Sequence, residues 1–378
     1  MRYPKEYYAN FYNDFFQILP RFREIKDKVQ LIYAGANNQW CFSKRLISDI
    51  CEEIQEGIDQ GKEHFIFENS SETFMVDFYL KVVSIAKRFP NIPKENFYYA
   101  TGCFPIAKLF YDHFQADPEI SLLFTINQVL RGVSRVWDLK DKLPQYKIAV
   151  KPKLFLCYNK IERPHRIYTY AYLSKNKLLD KGFFSFQGVN TNWIDETLRF
   201  AFFPNWVKDE VRNNRNNFPY VLNITEERNN PIDITEDDFD HFNKSYFSIL
   251  NETTCFSHSL KYNTMMQKYI NMPFLTDKTV KALVMRHPFI VNAPPYFLAC
   301  MRRAGFKTFH PLIDETYDVI EDDLLRIDAV CAEISRLCEK TNDEWLEWQY
   351  NIKDILEHNY KLAWEMTDFE LKKEHYGF

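Results

Sequence analysis

The chain has 378 residues, a formal net charge of −4 and a hydrophobic content of 46%. This length predicts two domains, and the hydrophobic content excludes a wholly disordered chain. Only 9 of the residues are Gly. Because Gly is so scarce, we expect no Gly-rich phosphate-binding loop, and a bound phosphate would have to be held by helix ends and basic side chains.

Short apolar strands alternate with helices in the first part of the chain. Strands are predicted at residues 30–33, 64–67, 96–99 and 120–126, with helices at 43–60 and 74–88 between them. Such an alternation predicts a parallel sheet with helices on both faces. We therefore expect an N-terminal α/β lobe over residues 1–146.

The same alternation restarts after residue 150 and predicts a second lobe. Strands are predicted at residues 153–158, 182–186, 246–250, 288–291 and 307–309, and residues 187–240 are predicted to be irregular. This C-terminal α/β lobe is predicted to cover residues 147–340. Residues 341–378 are predicted to form a C-terminal helix that packs back across the lobes. The predicted fold class is α/β, with two Rossmann-like parallel-sheet lobes and a C-terminal helical tail.

Charge is distributed unevenly along the chain. Residues 147–181 contain nine Lys and Arg against two acidic residues, whereas residues 314–378 contain 18 acidic and seven basic residues. A basic segment inside an acidic chain predicts a local anion site, whereas general nucleic-acid binding would call for a uniformly basic chain. For Lys175, Lys177 and Lys181 we expect only the solvation of a helix face.

A strongly basic turn follows the strand at 153–158 and begins a helix. Its basic side chains are Lys160, Arg163, His165 and Arg166. Pro164 suits the first helical position, and the partial positive charge of a helix N-terminus disfavours cations there unless an anion offsets them. The turn therefore predicts a phosphate site, with Asn159 directly ahead of it. The alternative is that Glu162 and acidic residues of another segment satisfy these cations.

A further cation lies at a helix start in the segment Phe-Leu-Thr-Asp-Lys, residues 274–278. Thr276 is a predicted N-cap, and Asp277 suits the first helical turn. These two roles are the ordinary ones for a helix start. They do not explain Lys278, which adds a second cation to a helix N-terminus.

Residues 249–252 (Ile-Leu-Asn-Glu) and 274–278, followed by the apolar stretch 280–290, resemble the donor-binding region of the α-1,3-fucosyltransferases. That family carries Tyr-Val-Thr-Glu-Lys before a helix and a buried strand, so here Asp replaces Glu and Phe-Leu replaces Tyr-Val. The resemblance implies a glycosyltransferase of the two-Rossmann-lobe (GT-B) type, with the nucleotide-sugar donor on the C-terminal lobe, residues 147–340, and the acceptor on the N-terminal lobe, residues 1–146.

The resemblance also implies roles for individual residues in binding the donor. Asp277 would contact the donor nucleotide and Lys278 its diphosphate, and Arg163 or Arg166 would supply the additional arginine on phosphate. The full set predicted to bind donor and phosphate is Asn159, Arg163, His165, Arg166, Glu252, Thr276, Asp277 and Lys278.

Two carboxylates just past a strand of the first lobe are the candidate catalytic residues. Glu68 and Glu72 lie in the segment Phe-Glu-Asn-Ser-Ser-Glu, residues 67–72. In glycosyl transfer with inversion, a carboxylate takes the proton of the acceptor hydroxyl while the nucleoside diphosphate leaves. We expect one of these two residues to act as that general base, although loop carboxylates are commonly just solvated.

Two acidic segments carry alternative readings. The acidic residues at 314–318 are predicted either to bind sugar hydroxyls or a base, or to cap helices and solvate a loop. Asp238-Phe239-Asp240 is the one Asp-x-Asp considered as a metal site, and it is predicted to lie in a loop without strand context. We therefore expect no metal, with a metal-using transferase as the minor alternative.

The predicted function is transfer of a sugar from a nucleotide sugar to a glycan, a protein or modified DNA. One alternative is a non-catalytic protein of the same fold that binds a nucleotide or a nucleic acid, and another is a sugar-nucleotide epimerase. The frequent Asn, Lys, Phe and Tyr are typical of an AT-rich genome such as that of a phage. In that setting a DNA-modifying glycosyltransferase is a further alternative, although the sequence has no long basic stripe to support it.

Cysteine spacing and the N-terminal sequence predict a cytoplasmic protein. None of the 8 cysteines forms a C-x-x-C pair or a zinc-like set with His, so reduced core cysteines are expected. The first residues carry charges and no cleavage site, and no run approaches the roughly 18 apolar residues of a membrane span.

Overall fold

The structure is a computed structural model that describes residues 22, 25–33, 46–69, 76–101, 118–124, 142–143, 145–160, 162–187, 202–220, 222, 236–253, 255 and 275–365. The chain divides into two units. The described residues of the first lie within 1–130 and those of the second within 131–368. Each unit is an α/β structure built on a four-stranded parallel sheet, as the sequence predicts.

The first unit contains four strands and two helices among its described residues. They are β1 (Val29–Tyr33), α1 (Ile47–Asp59), β2 (His64–Asn69), α2 (Val76–Ala86), β3 (Phe97–Thr101) and β4 (Ser121–Phe124). The strands are parallel and lie in the order β1-β2-β3-β4. Single 3-10 turns at Lys26–Lys28 and Lys94–Asn96 lead into β1 and β3.

Both faces of the first sheet are apolar, which explains the continuous hydrophobic runs of its strands. Alternate side chains of β2 point to opposite faces. Phe65 and Phe67 pack in the cluster that contains residues of α1 and α2. Ile66 packs on the other face in a cluster with Phe22 and Leu31. The period of two along each strand therefore sets which residues meet the helices.

The second unit contains four strands and seven helices among its described residues. They are β5 (Lys153–Asn159), α3 (Pro164–Lys175), β6 (Phe183–Phe186), α4 (Asn205–Asn213), α5 (Glu236–Asn243), β7 (Ser245–Asn251), α6 (Asp277–Val284), β8 (Phe289–Asn292), α7 (Phe297–Arg303), α8 (Asp323–Cys338) and α9 (Asn342–Glu365). Single 3-10 turns lie at Leu179–Lys181, Arg215–Asn217 and Thr316–Val319. The parallel strands lie in the order β6-β5-β7-β8.

The long C-terminal helix α9 packs on the second sheet through Trp345. The indole stacks on Tyr246 with ring centroids 4.4 Å apart and an interplanar angle of 9°, and it also stacks on Phe247. Trp345 is fully buried. Its helix is thus part of the core of the second unit.

Two sequence predictions of local structure in the second unit are wrong. Residues 187–240 are not wholly irregular, because α4 and the start of α5 lie within them. Val207 and Val211 are buried four residues apart and give α4 an apolar face within a polar, Asn-rich segment. Asp238 and Asp240 lie on helix α5 and not in the predicted loop.

Residues 307–309 are not a strand. The main chain of Lys307 pairs instead with the side-chain amide of Asn359 on α9, which accepts from Lys307 N and donates to Lys307 O at 2.8 Å each. Phe309 N donates to Glu315. These side chains satisfy the backbone groups that a neighbouring strand would otherwise satisfy.

Two further expectations concern reduced cysteines in the core and membrane-spanning segments. Six cysteines are described, all as free thiols, and all but Cys51 are buried; Cys41 and Cys103 lie outside the described residues. Among the helices that the structure describes, none is both long and apolar enough to cross a membrane.

Candidate functional site

The strand order of the second sheet reverses at β5, which lies between β6 and β7. In open α/β sheets, ligands bind outside the carboxyl ends of the strands at such a switch point. Three neighbouring strands end in asparagine here: Asn159 ends β5, Asn251 ends β7 and Asn292 ends β8. All three side chains are buried.

These three amides form one hydrogen-bonded row across the strand ends. Asn251 Nδ2 donates to Asn159 Oδ1 at 3.0 Å, and Asn292 Nδ2 donates to Asn251 Oδ1 at 2.8 Å. Thr169 of α3 joins the row, since its hydroxyl accepts from Asn292 Nδ2 at 3.0 Å and lies 3.1 Å from Asn251 Oδ1. The row therefore ties α3 to the switch point. Among the described residues, nothing donates to the buried Asn292 Oδ1.

Glu252 follows β7 and fixes the start of α6. Its buried carboxylate accepts hydrogen bonds from the hydroxyls of Thr276 and Thr279. Thr276 is the N-cap of α6, and its Oγ1 accepts from Lys278 N at 3.3 Å, as the sequence predicts. One carboxylate thus holds the end of a strand and the N-terminus of the next helix together.

His165 and Arg166 lie in the first turn of α3 and are both buried. His165 Nε2 lies 2.7 Å from Glu252 O, so this nitrogen carries the proton and donates. Burial, followed by the charges of Arg166 and Arg163, lowers the pKa of His165 well below its usual range, and Lys278 acts in the same direction. The imidazole is therefore neutral and contributes no charge to the turn.

The cations of two helix starts therefore surround one buried imidazole. Arg163 is the N-cap residue of α3, and Lys278 lies in the first turn of α6. Both are half-buried, whereas Arg166 is buried and donates to Asn251 O at 3.4 Å. The first turn of α3 contains no acidic residue. The two helix dipoles and these cations favour an anion at the switch point, and the buried carboxylate of Glu252 offsets part of their charge.

The predicted donor-binding residues separate into a buried and a partly exposed group. The buried group is Asn159, His165, Arg166, Glu252 and Thr276. Arg163 and Lys278 are half-buried and can present charge to a ligand. Asp277 begins α6, but its side chain lies outside the described part of the structure. The buried group holds the strand ends and helix starts in place beneath Arg163 and Lys278.

The two candidate catalytic carboxylates belong to the first unit. Glu68 lies in β2, where its backbone pairs with that of Tyr33 in β1 and Ala100 in β3, near the carboxyl end of the strand. Its side chain, and the whole of Glu72, lie outside the described residues. Their role as general base stays a prediction.

The acidic residues at 314–318 act as caps and ion-pair partners. Asp318 accepts from Leu298 N and Ala299 N at the start of α7. Glu315 accepts from Thr308 Oγ1 at 2.7 Å and from Arg302 Nη1 at 3.0 Å. The capping alternative accounts for both carboxylates.

The Asp-x-Asp of α5 is divided between the interior and the surface. Asp238 is buried, while Asp240 pairs with Lys244 at 2.5 Å on the exposed side of the helix. Within the described residues, no group of three or more His, Cys, Asp or Glu side chains is arranged to hold a metal ion.

Sequence reasoning missed Thr169 and Asn292 at this site. Asn292 follows an apolar strand, and an asparagine there is indistinguishable in sequence from one that begins a solvated loop. Thr169 lies one helical turn after His165, and its Oγ1 is 2.8 Å from His165 O. The signal available for Asn292 was its position at the end of a strand, because polar residues at the carboxyl ends of successive parallel strands meet at one edge of the sheet.

No protein-family model matches the sequence, and the comparison with curated proteins gives no match. Among solved structures, the chain is similar to an alpha,alpha-trehalose-phosphate synthase (UDP-forming) from Burkholderia vietnamiensis, with 10% sequence identity and a TM-score of 0.38. The alignment covers 97% of this chain and 80% of that one. A likeness of this degree assigns neither a donor nor an acceptor to this chain.

Proposed function

We propose that this protein is a glycosyltransferase that transfers a sugar from a nucleotide sugar to an acceptor. The observation that carries the proposal is the pairing of cationic helix starts at the switch point of the second sheet. Arg163, the N-cap residue of α3, and Lys278, in the first turn of α6, both lower the pKa of the buried His165. The diphosphate of a nucleotide sugar is the ligand whose charge suits two helix N-termini and two cationic side chains.

Each element of the site has a role in the proposed donor complex. The backbone N–H groups at the starts of α3 and α6 hold the diphosphate, and Arg163 and Lys278 neutralise its charge as it becomes the leaving group. Arg166 and His165, buried beneath, fix the geometry of the turn. Asp277 is assigned to the nucleotide, following the resemblance of residues 249–252 and 274–278 to the α-1,3-fucosyltransferases.

The acceptor is proposed to be a glycan, a protein or modified DNA, with its hydroxyl deprotonated by Glu68 or Glu72. In the proposed inverting reaction, the acceptor oxygen forms the new glycosidic bond as the bond from the sugar to the diphosphate breaks. The carboxylate takes the hydroxyl proton, and the nucleoside diphosphate leaves. We propose that this transfer proceeds without a metal ion, so that activity persists in a chelator.

The donor site can be tested first by ligand binding. UDP, GDP, ADP and CDP are titrated into the protein, and the melting temperature and the dissociation constant are measured. A ligand at 100 times its Kd stabilises the native state by about 2.7 kcal/mol, so at least one of the four should raise the melting temperature clearly.

The variant Lys278→Met keeps the length of the side chain and removes its charge. Loss of one charge-assisted hydrogen bond should weaken the preferred nucleoside diphosphate by about tenfold or more. The matched control is Lys181→Met, since Lys181 is an exposed lysine of the same unit that lies just before the amino end of β6. Equal affinities in the two variants would contradict the assignment of the diphosphate to the switch point.

Catalysis is tested separately from binding. The preferred nucleotide sugar is incubated with candidate acceptors, and free nucleoside diphosphate is measured. A transferase releases it in step with the glycosylated acceptor, whereas an epimerase changes the sugar without releasing the nucleotide. Binding of nucleic acid with a steep salt dependence, and no turnover with any donor, would instead support the non-catalytic alternative.

A further inference from the structure

A cavity of about 270 Å³ lies in the second unit, away from the switch point. Its wall is formed by residues of three segments, 145–151, 242–243 and 285–287. These segments come directly before β5, β7 and β8. Because parallel strands all begin at one edge of the sheet, the cavity lies at the amino edge, opposite the carboxyl ends of the strands. We call it the amino-edge cavity.

The charged residues lining the amino-edge cavity are all basic. Lys147, Lys151 and Arg286 contribute to the wall, and no Asp or Glu does. Arg286 is already compensated, since it pairs with Glu357 at 2.8 Å and its guanidinium lies 3.3 Å from the ring centroid of Tyr360. Among the described residues, no carboxylate pairs with Lys147 or Lys151, so the uncompensated positive charge of the cavity comes from these two lysines.

Lys151 is held by neutral groups. Its Nζ donates to Ser245 O at 2.8 Å and to Phe242 O at 3.5 Å, and it lies 5.8 Å from the ring centroid of Tyr146. No described carboxylate forms an ion pair with it. Burial lowers the pKa of Lys151 to about 8. An ammonium group withdrawn from water without a counter-charge is costly, and an anion in the adjoining cavity would offset that cost.

Tyr146 also lines the cavity and carries a hydroxyl whose hydrogen-bonding capacity is unused among the described residues. Its hydroxyl is buried and has no hydrogen-bond partner among the described residues. Burial raises the pKa of Tyr146, so the phenol keeps its proton and can donate. A buried polar group without a protein partner usually forms a hydrogen bond to a water, an ion or a ligand.

The remaining wall is apolar or neutral. Phe242 and Met285 are buried side chains. His287 is also neutral, because burial, followed by the charge of Lys151, lowers its pKa to about 3. Both imidazole nitrogens are engaged, with Nε2 2.9 Å from Ser245 O and Nδ1 2.7 Å from Ser248 Oγ. The cavity therefore combines a cationic, donating side with an apolar side.

The C-terminal helix holds the segment that carries Lys147 and Lys151. Gln349 of α9 donates from Nε2 to Ala149 O at 3.0 Å and accepts from Ala149 N at 3.3 Å. Lys151 N donates to Tyr246 Oη at 2.9 Å, and Tyr246 stacks on Trp345 of the same helix. The wall is thus fixed by side chains of the core, which favours a preformed site.

We propose that the amino-edge cavity binds a small organic anion, either a phosphate monoester or a carboxylate with an apolar body. Lys151 and the hydroxyl of Tyr146 hold the anionic head, with Lys147 adding charge, and the apolar body lies against Phe242 and Met285. The site is independent of the nucleotide-sugar site proposed above, because it lies at the opposite edge of the sheet.

Calorimetric titration of the full chain with phenyl phosphate and with benzoate tests the proposal, with phenol as the neutral comparison. At least one of the two anions should bind one to one, and phenol should bind more weakly by about tenfold or more, because it lacks the charge that pairs with Lys151. Lys151→Met should weaken the anion by about tenfold or more. Tyr146→Phe, which keeps the ring and the fold, should weaken it by about three- to tenfold.

Two control variants separate this site from the switch point. Lys153→Met, two residues along on β5 and not part of the cavity wall, should leave the affinity for the anion within about twofold of the wild type. Lys278→Met should also leave it unchanged. The proposal is overturned if neither anion binds, or if Tyr146→Phe has no effect, or if the anion loses affinity through Lys278→Met instead. None of these outcomes depends on whether the protein is a glycosyltransferase.

Discussion

At the scale of single residues, the site is organised by buried amides rather than by the charges that mark it in the sequence. Asn251 lies at the centre, donating to Asn159 and accepting from Asn292. Each amide satisfies its neighbour, so removal of one leaves polar atoms of the others buried without partners. An unsatisfied buried group costs more than the net gain from one hydrogen bond.

The variant Asn251→Ala should therefore lower the free energy of unfolding by about 2 to 3 kcal/mol. The measurement is the midpoint of urea unfolding at constant slope. Asn216→Ala is the matched control, because Asn216 is exposed in a 3-10 turn of the same unit and should change the stability by no more than about 0.5 kcal/mol. Similar losses in both variants would show that the row of amides contributes nothing particular.

The sequence identified the cations of the site more readily than the residues that position them. Arg163 and Lys278 are predictable because a cation at a helix N-terminus is unfavourable next to the positive end of the helix dipole. This pattern can be recognised from the sequence alone. The burial of Arg166 and its hydrogen bond to Asn251 O cannot be recognised from the sequence, because they depend on the position of β7 next to β5. In the sequence Lys151 is one of nine basic residues between 147 and 181, and its lack of a described counter-charge depends on tertiary neighbours.

At the scale of elements, the parallel strands were predicted to within one or two residues. Runs such as 153–158 are apolar on both faces and end at polar residues, which is sufficient to locate a buried strand. The prediction failed for α4, where an Asn-rich surface obscured two buried valines, and for residues 307–309, where an amide of another helix replaces a strand partner. Both failures concern partners that are distant in sequence.

Helix α9 provides an element-scale prediction. Trp345 is fully buried and stacks on Tyr246 and Phe247, so Trp345→Ala should lower the free energy of unfolding by about 3 to 5 kcal/mol through lost burial and the cavity left behind. Urea unfolding followed by circular dichroism measures the loss. Tyr350→Ala on the same helix is the control, since that ring is 73% exposed and its removal should be close to neutral. A small effect of Trp345→Ala would mean that α9 is dispensable for the core.

At the scale of the whole molecule, the class of the fold was predictable and the order of the strands was not. Alternation of strands and helices gives parallel sheets, but it does not say that β5 lies between β6 and β7. That order creates the switch point, and the switch point explains why the turn after β5 and the residues after β7 belong to one site. The hydrogen bond from Asn251 to Asn159 crosses this point directly.

The stability of the molecule should depend on pH through two buried histidines of the second unit. Burial lowers the pKa of His165 well below its usual range and that of His287 to about 3. An unfolded histidine titrates near 6.5. The unfolded chain therefore binds these protons first, so the stability that the neutral imidazoles contribute is complete above about pH 6.5 and is lost as the pH falls toward 3.

Replacement of His287 by Gln isolates one of these two contributions. We expect the free energy of unfolding of the wild type to fall, relative to that of His287→Gln, by up to about 1.4 kcal/mol per pH unit between pH 6.5 and pH 4.5. Burial raises the pKa values of Glu315 and Asp318, so these carboxyls change the stability with pH in the direction opposite to that of the histidines. Both proteins contain them, and the subtraction therefore removes their contribution. The control His310→Gln changes an exposed histidine and should run parallel to the wild type. Urea titrations at half-unit pH steps give the comparison, and parallel curves for His287→Gln and the wild type would mean that His287 is not held neutral in the folded protein.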